Sequence, residues 1–196
     1  MSRQAGLLNQ DLLILQQFRS GFSPEFDILD DQGRVVGMVA GTEGGARRFF
    51  LGPREFDVLD ADGSRLAHLS DVRDFWRDTY EIVRGDGSML ATVARKVAFF
   101  SRRFSIALST GEEFMVEGNF FDREFNVVNT NGGGAVAQVS RERAGFAKAF
   151  LGHDRYALYY PPGTSPDRRL AILGGMIALD LMRAKDASSA TSYNST

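Results

Sequence analysis

The stretch FDVLDADGSRLAHLS, Phe56 to Ser70, has a near-copy upstream in FDILDDQGRVVGMVA, Phe26 to Ala40. Looser copies begin at Tyr80 (YEIVRGDG), Phe104 (FSIALSTG), Phe125 (FNVVNTNG) and Tyr156 (YALYYPPG). Each opens on Phe or Tyr and places Ile, Val or Leu two residues on. Glycine follows seven residues after the aromatic, at Gly33, Gly63, Gly87, Gly111, Gly132 and Gly163. Self-similarity at this spacing marks one supersecondary unit used repeatedly.

The unit reads as a β-hairpin. Aromatic and branched side chains alternate with Asp27, Asp57, Glu81, Ser105 and Asn126, the period of two expected of a strand with one buried face. The Asp, Asn and Gly residues that follow supply the φ > 0 conformations of a tight turn at little cost. A second apolar residue returns ten positions after the aromatic, at Val36, Leu66, Leu90 and Phe114. The fifth copy shifts it to Val136, and the sixth breaks at Pro166. Asp60, Asp62 and Gly63 also imitate the middle of an EF-hand loop, but the bidentate carboxylate of such a loop would fall on Leu69. Turn chemistry accounts for them better.

A chain of 196 residues suits one domain with a substantial core. Lys and Arg number 23 against 25 Asp and Glu, which argues against bulk nucleic-acid binding. The absence of cysteine excludes disulfides, thiol catalysis, thiolate metal sites and palmitoyl anchors, and fits a reducing, cytoplasmic compartment. Asn9, Gln10 and Asp11 interrupt the first apolar residues, so no secretory signal is expected. Residues 187–196 have tail composition and are expected to be disordered. The copies run almost end to end, so residues 1–186 read as a single domain.

Six hairpins supply about twelve strands, and an open sheet of that size would expose two long edges. The expected fold is mainly β: a closed antiparallel barrel of about twelve strands, wide enough to need something in its lumen. The candidate is PDRRLAILGGMIALDLMRAK, Pro166 to Lys185, the long segment without the hairpin rhythm. Its apolar residues, among them Leu170, Ile172, Leu173, Met176, Ile177 and Leu179, leave no polar side except at Asp180, as for a helix buried in protein or spanning a membrane. From Leu170 to Met182 it covers only ~20 Å, short of the ~30 Å hydrocarbon core. A central plug is the better reading. Asp180 then sits solvated at the barrel mouth or pairs with an arginine.

These residues carry a resemblance. LGPREFDVLDADG (Leu51 to Gly63), GNFFDREFNVVNTNGGGAVAQVSRERAGFAKAFLGHDRYALYYP (Gly118 to Pro161) and ILGGMIALDLM (Ile172 to Met182) are similar in order and spacing to the phospholipid scramblase family, related to the LURP-one-related and Tubby C-terminal domains. The resemblance covers about Leu7 to Lys185. It implies a twelve-stranded barrel around a C-terminal hydrophobic helix, a fold the repeat count reaches independently. It also implies calcium-responsive movement of phospholipids, through an acidic segment corresponding here to GHDRYALYYPPG. Asp154 matches one acidic position of that segment, while Gly152 and Gly163 stand where the family has carboxylates. One carboxylate falls far short of the six to eight oxygens a calcium ion takes. The family's cysteine cluster and proline-rich extension have no counterpart.

Tubby-like relatives bind phosphoinositide headgroups through basic residues of the barrel wall. The nearest counterpart is ARKVAFFSRRF, with Arg95, Lys96, Arg102 and Arg103 around Phe99 and Phe100. Such a cluster attracts an anionic membrane at about 1 kcal/mol per charge. Alternatively it is a strand, a turn and a strand with solvated charges and two core phenylalanines. Arg141, Arg143 and Lys148 in RERAGFAK share the ambiguity.

Enzyme signatures are lacking: no G-x-S-x-G elbow, P-loop or H-E-x-x-H occurs. His68 and His153 are far apart in sequence, and His68 falls in a return strand. Gly132, Gly134 and Ala137 fit a dinucleotide fingerprint, but AVAQVS after them reads as a strand where that fingerprint needs a helix. Trp76 reads as a packing anchor. The sequence therefore points to a non-enzymatic barrel without cofactor or metal, binding anionic phospholipid headgroups peripherally on the inner face of the membrane. The alternatives are a soluble module for a protein or small ligand, and a translocator whose C-terminal helix enters the bilayer.

Overall fold

The computed structural model describes residues 6–20, 23–42, 55–74, 77–98, 101–119, 124–140 and 155–193. Its strands are β1 (Leu12–Ser20), β2 (Ser23–Leu29), β3 (Val35–Gly41), β4 (Glu55–Asp60), β5 (Arg65–Asp74) and β6 (Arg77–Arg84). The second half adds β7 (Met89–Ala98), β8 (Ser101–Leu108), β9 (Glu113–Asn119), β10 (Glu124–Asn129), β11 (Ala135–Ser140) and β12 (Arg155–Tyr159). Each pairs antiparallel with its neighbours in sequence, and β1 pairs with β12, so the twelve strands close into a barrel. One helix, α1 (Pro166–Tyr193), follows.

The strand count agrees with the repeat, but its make-up differs. Five copies form hairpins, β2–β3 through β10–β11. The sixth supplies β12 alone and turns into α1, because Pro166 cannot donate to a ladder and suits the first turn of a helix. The twelfth strand is β1, which carries no copy.

Each hairpin loop closes through the same bonds. In the second, Gly63 N donates to Asp60 O and Asp60 N to Ser64 O, both at 2.9 Å, with Gly63 at φ 83°. A register shift between Val58 and Leu59 completes the bulge, the geometry of a three-residue loop ending on a left-handed glycine. The fifth loop is one residue longer, so the left-handed residue is Gly133 (φ 68°) and not the expected Gly132. The five loops and the start of α1 lie together and define the turn end; the opposite rim is the far end.

The repeated aromatics Phe26, Phe56, Tyr80, Phe104, Phe125 and Tyr156 are buried, as are their partners Ile28, Val58, Ile82, Ile106, Val127 and Leu158. Alternation turns this face into the lumen, and α1 fills it. Leu170, Ile172, Leu173, Met176, Ile177 and Leu179 are all buried. A fully buried aliphatic side chain stabilises by about 1.5–3 kcal/mol, so helix and wall hold each other. Gly174 and Gly175 mark the closest approach: a Cβ on Gly174 would lie 2.7 Å from Ile82 Cδ1, and one on Gly175 2.9 Å from Ile106 Cγ1. Helix α1 also runs on to Tyr193, past the point where residues 187–196 were expected to be disordered. Ala184, Ala187 and Ala190 favour helix, and a helix already nucleated inside the barrel extends at low cost.

Candidate functional site

Arg95, the one member of the basic cluster whose side chain is described, lies near the end of β7 on the face of Ala91 and Val93, which is the lumen face. Its NH1 lies 3.2 Å from Asp78 Oδ2, and its guanidinium sits 5.5 Å from the centroid of the Phe104 ring. Asp78 shares the face of Tyr80 and Ile82 on β6. Further along the lumen, α1 brings Asp180, whose Oδ1 lies 3.5 Å from Arg183 NH1. Asp180 is only 8% exposed. Of the two expected environments, arginine pairing is the observed one.

For Lys96, Arg102 and Arg103 the structure describes the backbone, not the side chains. The register pairs Arg95 with Phe104, Lys96 with Arg103 and Val97 with Arg102. Paired residues share a face, and successive residues alternate. Lys96 and Arg103 therefore occupy opposed positions on the outer face, while Arg95 and Arg102 occupy lumen-face positions. The four residues do not form one cluster. Phe99, Phe100, Trp76, Arg141, Arg143, Lys148, His153 and Asp154 lie outside the described residues.

At the turn end, three consecutive residues tie the first turn of α1 to the wall. Arg84 Nε and NH2 donate to Asp167 Oδ1 and Oδ2 at 3.3 and 2.9 Å. Arg168 Nε donates to Glu112 Oε2 at 3.0 Å, and Arg168 NH2 also pairs with Glu112. That bond holds the Glu112 carboxyl below its ordinary value and raises the Arg168 guanidinium. Arg169 Nε donates to Thr164 O at 2.8 Å, its NH1 to Gln10 O, and its NH2 pairs with Asp11. The guanidinium stacks 5.1 Å from the centroid of Tyr160, whose hydroxyl donates to Arg169 O at 3.0 Å. Burial pushes the Tyr160 hydroxyl far above its ordinary range, with the Arg169 charge opposing only in part. The sequence alone did not reveal this collar. The available signal was three charges directly after a helix-starting proline.

The EF-hand look-alike is occupied by backbone. Asp62 Oδ1 accepts from Ser64 N at 2.8 Å, while Asp60 Oδ1 accepts from Ala61 N at 2.9 Å and Leu7 N at 3.0 Å. Asp30 is fully buried and accepts from Gln32 N, Arg34 N and Arg34 Nε. Burial alone would raise its carboxyl, but these bonds and the Arg34 charge outweigh it and hold the group low. Among the described residues no three His, Asp or Glu side chains are grouped to hold a metal ion. His68 Nδ1 lies 2.8 Å from Asp57 Oδ1 on the outer wall. Gly132 and Gly134 lead into strand β11, which contains Ala137, as the hairpin reading required.

The profile of the LURP-one-related family matches residues 10–179, nearly the whole barrel and most of the plug. The chain belongs to the LURP-one-related family. This places it in the Tubby C-terminal-like superfamily. The fold of this LURP-one-related barrel is similar to an X-ray structure of a protein from Arabidopsis thaliana: TM-score 0.59 and 20% identity, over 88% of this chain and 91% of that one. At that identity the likeness concerns fold alone. A search of curated proteins finds no match. Among the described residues no helix is long and apolar enough to cross a membrane.

Proposed function

We propose that this LURP-one-related barrel is a non-enzymatic module that binds anionic phospholipid headgroups peripherally, on the inner face of the membrane. The observation that carries the reading is the pairing of Lys96 with Arg103 across β7 and β8. Like charges directly opposite each other destabilise a ladder, and an anion between them converts that repulsion into attraction. Each basic residue near an anionic surface contributes about 1 kcal/mol, screened by salt. Arg95, paired with Asp78 and stacked on Phe104, organises the same pair of strands from the lumen side. The resemblance to scramblases supports a phospholipid ligand; it supports calcium-driven translocation less, since Gly152 and Gly163 replace family carboxylates.

Flotation with anionic and neutral vesicles over a salt series tests the reading. Binding is expected to anionic vesicles at low salt, with Lys96→Gln/Arg103→Gln weakening it by on the order of 2 kcal/mol. Equal binding to neutral vesicles, or no effect of the double substitution, overturns it. The translocator alternative requires α1 to leave the lumen. A Gly175→Cys/Ile106→Cys pair has Cβ atoms near the ~4 Å of a disulfide, in a chain without other cysteines. Oxidising it is expected to leave vesicle binding unchanged.

A further inference from the structure

We propose that Asn131 is a site of spontaneous deamidation, set apart from the other turn residues by the longer fifth hairpin loop. Asn131 and Gly132 form the chain's one Asn-Gly step. The reaction needs the backbone nitrogen of the following residue to reach the side-chain Cγ, so it depends on a free side chain and a permissive backbone. The fifth loop supplies both.

The comparison with the other loops decides it. In the second and third loops the corresponding side chains are held: Asp62 Oδ1 accepts from Ser64 N, and Asp86 Oδ1 accepts from Ser88 N and Ser88 Oγ. The glycine nitrogens are held as well, Gly63 N on Asp60 O and Gly87 N on Arg84 O, each at 2.9 Å. In the fifth loop Asn129 Oδ1 takes the backbone N–H of Asn131 at 2.9 Å, and the Asn131 side chain is left exposed without a partner among the described residues. Asn129 O is shared: Gly133 N makes the short bond at 2.8 Å, and Gly132 N the long one at 3.4 Å. The attacking nitrogen is thus the less committed of the two. Gly132, Gly133 and Gly134 have no atom near their missing Cβ positions, and glycine crosses backbone conformations closed to other residues.

Asp62-Gly63 and Asp86-Gly87 are chemically related steps that this geometry protects. Hydrogen bonds from Ser64 and from Ser88 hold both carboxyls below their ordinary values, so they stay ionised, and a carboxylate resists nucleophilic attack. Asn131 has a neutral amide at any pH.

The step balances with hydroxide and water alone. Hydroxide removes the proton of Gly132 N; the nitrogen attacks Asn131 Cγ; the C–N bond of the amide breaks and ammonia leaves, closing a five-membered succinimide. Water then opens the ring. Cleavage between nitrogen and the side-chain carbonyl gives an aspartyl residue, and cleavage at the main-chain carbonyl gives an isoaspartyl residue. Ammonia leaves, water enters, and the turn gains one negative charge.

The test is peptide mapping by mass spectrometry of the intact purified chain after incubation at mildly alkaline pH. Conversion is expected at Asn131 ahead of Asn126 and Asn129, with isoaspartyl product, and without isomerisation at Asp62 or Asp86 over the same period. Gly132→Ala is expected to slow it several-fold. That variant should fold, because Gly132 has neither a positive φ nor a neighbour at its Cβ position. Equal conversion at Asn126 or Asn129, faster change at Asp62 or Asp86, or an unchanged rate in Gly132→Ala overturns the proposal.

Discussion

At the turn end the ion pairs that tie α1 to the wall work largely in solvent: Asp167 is 52% exposed, Arg168 37% and Glu112 30%. At the far end the pairs lie inside the lumen, with Asp78 at 23% exposure, Arg95 at 12% and Asp180 at 8%. Arg169 belongs to the turn end by position but to the far end by environment, at 8%. Solvated pairs contribute about 0–1 kcal/mol, whereas removing one partner of a desolvated pair costs several. The number of visible ion pairs at an end is therefore no measure of the stability it holds. Exposure decides which residue matters, and at the turn end it singles out Arg169.

The largest effect is accordingly expected from Arg169→Met. It removes the donors to Thr164 O, Gln10 O and Asp11 together with the stack on Tyr160. A loss of about 3 kcal/mol in denaturant unfolding is expected, and Arg169→Lys should recover part of it, a compact ammonium being unable to serve three acceptors in a plane. A loss no larger than that of the solvated neighbours would break the distinction drawn from exposure.

A smaller effect, about 2 kcal/mol, is expected from Arg95→Met at the far end. Arg95 is the more exposed of the two guanidinium groups, 12% against 8% for Arg169, and methionine preserves contact with Phe104. The sharper control is the double variant Arg95→Met/Asp78→Leu, expected to be more stable than Arg95→Met alone because the Asp78 carboxylate is removed together with the guanidinium it faces. If the double variant is the less stable of the two, the Asp78–Arg95 pair is a net stabiliser and the far end is built differently from this account.

The contrast between the ends also explains what was legible in the sequence. The wall was legible because every copy writes the same aromatic, branched and glycine positions, and period two maps directly onto lumen and outer faces. The plug was legible because an all-round apolar helix must be enclosed by something. The role of β1 was not, since LLILQQF carries no copy of the repeat and only closure against β12 identifies it. The arrangement of the basic residues follows from the same alternation that made the repeat readable. Proximity in sequence suggested one patch, yet alternation sends Arg95 to the lumen face and Lys96 to the outer face. Pairings such as Arg168 with Glu112, helix to loop, or Arg95 with Asp78, strand to strand, join different elements, and local pattern holds no information about them.

The smallest effect is expected from Glu112→Gln, about 0.5 kcal/mol at neutral pH. Glu112 sits in the fourth hairpin loop, where Arg168 reaches it from α1. The guanidinium bond holds the carboxyl below its ordinary 4.5, so the folded state binds the proton less readily than the unfolded chain. The stabilisation is fully present above about pH 4.5 and is lost as pH falls through the folded value. Wild-type and Glu112→Gln unfolding curves should therefore differ slightly at neutral pH and converge in acid. Added salt should also narrow the gap, because solvent reaches both side chains. A gap that persists in acid and in salt would mean that Glu112 acts through its shape in the loop and not through its charge, and the turn-end collar would then owe its hold on α1 to packing.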